Sequence, residues 1–108
     1  MIDWNQVDEL RSDMGDAFGE VVEVFLQEVD DALLRLSQQE VGPAMAADLH
    51  FLKGAALNLG FTSFAALCAE GEELANGGRA EQVNLARVNA SYRESRDAFL
   101  TGLARRAA

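Results

Sequence analysis

Between Phe18 and Leu36 the apolar residues fall at Phe18, Val21, Val22, Phe25, Leu26, Val29, Ala32, Leu33 and Leu36, at offsets of 3, 4, 7, 8, 11, 14, 15 and 18. At about 3.6 residues per turn these positions form one unbroken stripe on a helix, whereas an extended strand would scatter them over both faces. Acidic residues (Glu20, Glu23, Glu28, Asp30 and Asp31) occupy the opposite side. A helix this long with one apolar face must lay that face against partners to be stable in water. The chain therefore has to build a helical bundle.

The other segments supply the partners. No run of alternating β-branched residues competes, and Pro43 is the single proline. The patterns predict helices over about 3–14, 16–40, 44–59, 62–76 and 80–104. Asp3 caps the first, short helix, which turns Trp4, Val7 and Leu10 inward, and Gly15 separates it from the long second one. Pro43 suits the first turn of the third helix, whose inner residues are Met45, Leu49, Leu52, Ala56 and Leu59. Gly60 stops that helix, and Thr62 or Ser63 caps the fourth. The fourth turns Phe64, Leu67, Cys68, Gly71, Leu74 and Ala75 inward and closes at Asn76-Gly77-Gly78. The last points Leu85, Val88, Tyr92, Phe99 and Leu103 at the core. Short connections make consecutive helices antiparallel neighbours. The expected fold is all-α: one domain over 1–108, an antiparallel up-down four-helix bundle with the short first helix lying over one end.

Charge and composition remove many functions. In 108 residues, 18 are acidic and 9 basic, a net charge of -9, which repels phosphate backbones and anionic membranes. No apolar run approaches the roughly 20 residues of a membrane span, and the start MIDWNQVDEL lacks the features of a signal peptide. Cys68 and His50 are each the single residue of their type, which excludes an internal disulfide and multi-thiolate or two-histidine metal centres within the chain. A di-iron bundle needs Glu-x-x-His pairs, and the residue three before His50 is Ala47. The chain reads as a cytoplasmic, monomeric, stand-alone protein with Cys68 as a buried structural thiol.

One segment does not read as bundle alone. Residues 50 to 60 are HFLKGAALNLG. Leu49, Leu52, Ala56 and Leu59 already supply the core, so His50 sits on the flank of the stripe, with Lys53 and Gly54 one turn further on the same face. Ala46, Ala47 and Leu57 extend that face with small and apolar side chains. Glycine in the middle of an exposed helix costs about 1 kcal/mol relative to alanine. Its use here is to let something bulky approach the imidazole. A free imidazole is largely neutral and nucleophilic near neutral pH. Lys53 could balance the oxygens of a phosphoryl group on His50 and disfavour the competing imidazolium. With no phosphate-cradling loop beside it, the histidine reads as one lent to a partner's active site.

HFLKGAALNLG followed by FAALCAEGEEL resembles the signature of histidine phosphotransfer (Hpt) domains, the carriers of two-component phosphorelays. The matching features are His50, Lys53, Gly54, Gly60 and the apolar helix after them, and VEVFLQEVDDALLRL is similar to the family's long second helix. The resemblance implies that His50 reversibly accepts a phosphoryl group from a receiver-domain phosphoaspartate and passes it to another receiver. It implies Mg²⁺ on the receivers and no cofactor in this chain, and docking through Ala46, Ala47, Gly54, Leu57 and the first helix. It further implies that Glu72, on the following helix, hydrogen-bonds the second imidazole nitrogen. No ATP-binding or kinase domain accompanies the motif, so self-phosphorylation is not expected. Two other readings compete. A non-phosphorylated helical adaptor binding a receiver or kinase has no reason to keep glycine beside the histidine. A hydrolase using Cys68 and His50 lacks a third group to orient the base.

Overall fold

The computed structural model describes residues 1–107, which are helical along almost their whole length. Helix α1 (Trp4–Met14) is capped as expected: the Asp3 carboxylate accepts from the Asn5 and Gln6 amides at 3.1 and 3.3 Å. A 3₁₀ turn over Gly15–Ala17, with Gly15 at φ +54°, redirects the chain into α2 (Phe18–Gln38). Helices α3 (Met45–Leu59), α4 (Thr62–Asn76) and α5 (Leu85–Ala107) follow.

The stripes meet in one core. Val22, Leu26, Val29, Ala32, Leu33 and Leu36 of α2 face Met45, Leu49, Leu52, Ala56 and Leu59 of α3 and the inner residues of α4 and α5. Each helix packs beside the next and α5 returns to α2, which closes the four-helix ring. Cross-helix contacts fix the antiparallel order. Arg35 near the end of α2 pairs with Asp48 near the start of α3 at 3.1 Å. Phe64 at the start of α4 packs on Tyr92, and the Tyr92 hydroxyl donates to the Leu26 carbonyl at 3.4 Å. The tightest seam is α3 against α4. There a Cβ added to Gly71 would lie 3.3 Å from both Leu49 methyl groups, so the glycine lets the two helices approach closely.

Three details depart from the sequence expectations. The last helix was expected from Ala80. Residues Ala80–Gln82 instead form a 3₁₀ turn, Val83 is extended, and the Asn84 side chain accepts from the Arg87 amide at 3.0 Å. The Asn84 side chain satisfies one orphan amide of the first turn, so α5 begins only after it. Helix α4 has Phe61 at its N-cap rather than Thr62 or Ser63, with no side-chain cap. The Thr62 hydroxyl donates to the Met1 carbonyl at 2.7 Å, and Phe61 is fully buried. Helix α2 is shorter at both ends than the expected 16–40, because the 3₁₀ turn uses its first residues and Gln39 is extended.

The N-terminal segment locks one end of the bundle. Asp3 donates its amide to the Gly60 carbonyl at 2.8 Å, and Ile2 bridges to Phe61. Gly60 ends α3 at φ +76°, and a Cβ there would lie 2.6 Å from the Asp3 carbonyl oxygen. Glycine is therefore needed both for the left-handed cap and for the approach of the first residues. Trp4 stacks on Phe99 at 6.1 Å and rests over Gly102, while the Arg106 guanidinium lies 4.8 Å from the Trp4 ring and pairs with Asp8 at 2.7 Å. Helix α1 thus covers the end of the bundle, as expected.

Candidate functional site

His50 lies in the first half of α3, with 68% of its side chain exposed. The tight α3–α4 seam at Leu49 and Gly71 brings the next residue of each helix together. His50 Nδ1 is 2.8 Å from Glu72 Oε2, and Lys53 Nζ is 2.7 Å from Glu72 Oε1. Each carboxylate oxygen has one partner. Glu72 is largely enclosed, with 17% of its side chain exposed.

These contacts decide protonation. The Lys53 hydrogen bond holds the Glu72 carboxyl below the usual carboxylate range, and the bond to His50 adds to it against the opposing effect of burial. Glu72 is therefore ionised at neutral pH, and an ionised carboxylate can only accept. The hydrogen of a neutral His50 ring must then sit on Nδ1. That leaves the lone pair on Nε2, which forms no hydrogen bond among the described residues. The arrangement presents a nucleophilic nitrogen on a mostly exposed ring.

Around it the helix is low. A Cβ at Gly54 would meet nothing within 4 Å, so no contact inside the chain requires glycine there. Ala47 is exposed and Leu57 is 55% exposed. Ala46, expected on the same face, is buried in the core. Four residues before His50 it is rotated about 40° toward Leu49, enough to turn a methyl group inward. Lys53 lies on the His50 face as expected, and in the resting chain its ammonium is engaged by Glu72.

Sequence reasoning passed over Phe51, 37% exposed beside His50, and Val24, 55% exposed on the neighbouring α2. Both lie off the apolar stripes of their helices, which was the available signal. Val21 and Phe25, half-buried, share a shallow concavity with Val24. Cys68 is buried, and burial pushes its thiol up to about 12, so it holds no thiolate at neutral pH. That argues against the hydrolase reading.

A family model described as the Hpt domain matches residues 20–104, a span that contains His50, Lys53, Gly54 and Glu72. Nothing among the curated proteins and nothing among the solved structures matches the chain.

Proposed function

This chain belongs to the Hpt domain family, whose members relay phosphoryl groups in two-component signalling, and we propose that in it Nε2 of His50 is the phosphoryl acceptor and donor. The observation that carries this reading is the Glu72 carboxylate on Nδ1, which leaves the lone pair on the exposed nitrogen. The lone pair attacks the phosphorus of a receiver-domain phosphoaspartate. A P–N bond forms, the acyl phosphate P–O bond breaks, and the aspartate carboxylate leaves. Attack by an aspartate of a second receiver reverses the electron flow and frees Nε2.

The receivers supply the Mg²⁺ and the acidic pocket, and this chain needs no cofactor of its own. Lys53 contributes positive charge one turn from the reacting nitrogen, where it balances the phosphoryl oxygens. Gly54, Ala47 and Leu57, with Phe51 and residues of α1, form the docking face, and the missing side chain at Gly54 lets the receiver reach the ring. No helix among the described residues is long and apolar enough to cross a membrane. The chain acts in the cytoplasm as a monomer. The matched domain is a phosphotransfer carrier rather than a kinase domain.

The other reading is an adaptor that binds a receiver or kinase without taking the phosphoryl group. The two separate when purified protein is mixed with a panel of radiolabelled phospho-receivers. Label that moves to the wild type and not to His50→Gln supports the carrier. Binding to a receiver without transfer supports the adaptor.

A further inference from the structure

We infer that Glu72, clamped in its charged state by Lys53, keeps the Nδ1 proton on the ring throughout phosphoryl transfer and thereby holds the P–N bond of phosphorylated His50 in its readily broken form. This rests on the reading of His50 as phosphoryl carrier and assigns Glu72 and Lys53 a role beyond orienting the ring.

When the Nε2 lone pair takes the phosphoryl group, a ring already bearing hydrogen on Nδ1 becomes a phosphoimidazolium. In open solution such a ring loses the Nδ1 proton as the pH rises, and the remaining neutral phosphoimidazole is a poor donor. Its leaving group would be an imidazolate anion rather than a neutral imidazole. Breaking the P–N bond then needs the proton returned first. Here Nδ1 faces Oε2 of Glu72 at 2.8 Å. The carboxylate stabilises the protonated ring by direct charge attraction. The group entering the reaction, the phosphorylated ring and the group leaving it all carry the same proton on the same atom. Transfer can run in both directions without a proton exchanged with water.

Lys53 completes the device. Its ammonium occupies Oε1 at 2.7 Å, so Glu72 remains charged although it is mostly enclosed. An amide at position 72 could still accept from Nδ1–H and preserve the resting tautomer, but it could not hold the proton by charge. Ion pairing among the described residues brings no other group to His50: Glu72 comes from α4, and Lys53, acting through it, comes from α3, the helix that carries His50. Lys53 is thus a positioning residue acting through Glu72.

The test needs no natural partner. Wild type, Glu72→Gln and His50→Gln are treated with phosphoramidate, and loss of the phosphoryl group to water is followed by ³¹P NMR from mildly acidic to mildly alkaline pH. Water attacks phosphorus, the P–N electron pair returns to Nε2, and Nδ1 keeps its hydrogen. The expected result is a wild-type lifetime that stays nearly level through neutral pH, and a Glu72→Gln phosphohistidine that becomes longer-lived on the alkaline side. The difference should reach about tenfold, the population change for one unit of proton affinity. In the wild type, ¹⁵N spectra of the phosphorylated ring should show Nδ1 protonated through the same range. This second readout stands even if the variant folds poorly. Identical pH profiles in wild type and Glu72→Gln, or early loss of the Nδ1 proton in the wild type, would overturn the inference while leaving the carrier reading intact. Equal labelling of His50→Gln would instead remove the carrier reading itself.

Discussion

Oε2 of Glu72 lies 2.8 Å from Nδ1 of His50, across the seam where α3 and α4 approach most closely. The bond exists because Gly71 leaves room for Leu49, so packing at the adjacent residue of each helix sets the chemistry of the ring. Removing the carboxylate with Glu72→Ala frees the ring to rotate and to place its hydrogen on either nitrogen. Loss of this charge-assisted hydrogen bond predicts a drop of about tenfold in the rate of phosphotransfer from a phospho-receiver. Stopped-flow or quench measurements at neutral pH check this, with helicity by circular dichroism as the folding control.

Gly54 separates stability from function. Because a Cβ there meets nothing, Gly54→Ala should stabilise the protein by about 0.5–1 kcal/mol in denaturant unfolding. The same methyl group stands one turn from His50 on the docking face, and Gly54→Leu fills it further. Transfer should fall in the order glycine, alanine, leucine while folding stability does not. A Gly54→Leu variant that transfers at the wild-type rate would show that the glycine serves no approaching partner.

Ser95 is 1% exposed, and its hydroxyl has no hydrogen-bond partner among the described residues. A buried hydroxyl without a partner carries its desolvation cost uncompensated, about 1 kcal/mol or more. Ser95→Ala should therefore raise stability by about 1 kcal/mol, or several degrees in Tm for a domain of this size, with phosphotransfer unchanged. Differential scanning calorimetry reads the shift directly.

Glu72 also makes stability depend on pH. Its carboxyl titrates below the ordinary value of 4.5 in the folded protein, chiefly because of the Lys53 hydrogen bond. Between the folded and unfolded values the native state binds fewer protons, so the stabilisation is complete above about pH 4.5 and disappears as the pH falls through the lower, folded value. Unfolding curves of wild type and Glu72→Gln should differ near neutral pH and converge in acid. A gap that persists unchanged below that window would place the effect elsewhere.

Much of this was legible in the sequence because helix periodicity is a strong signal. The stripe from Phe18 to Leu36, the Asp3 cap and the glycines at 15 and 60 all do in the fold what their chemistry requires. The sequence could also bring His50, Lys53 and Gly54 together, since spacings of three and four share a helix face. Contacts between elements were less accessible. That Gly60 accommodates the Asp3 backbone depends on where the first residues return, which no local pattern reports. Ala46 was misplaced because alanine fits core and surface alike, and a 40° error in rotation changes its side. Lys53 was placed on the right face but without its partner, because the ion pair depends on the α3–α4 register that Gly71 sets.

The most direct test of the account is to locate the phosphoryl group. Protein uniformly labelled with ¹⁵N is phosphorylated by phosphoramidate or by a phospho-receiver, and the nitrogen bonded to phosphorus is identified from its ¹⁵N shift and coupling to ³¹P. The expected result is a single phosphohistidine, His50, bonded through Nε2 with hydrogen retained on Nδ1. Phosphorus on Nδ1, or on another residue while His50 stays free, would contradict it.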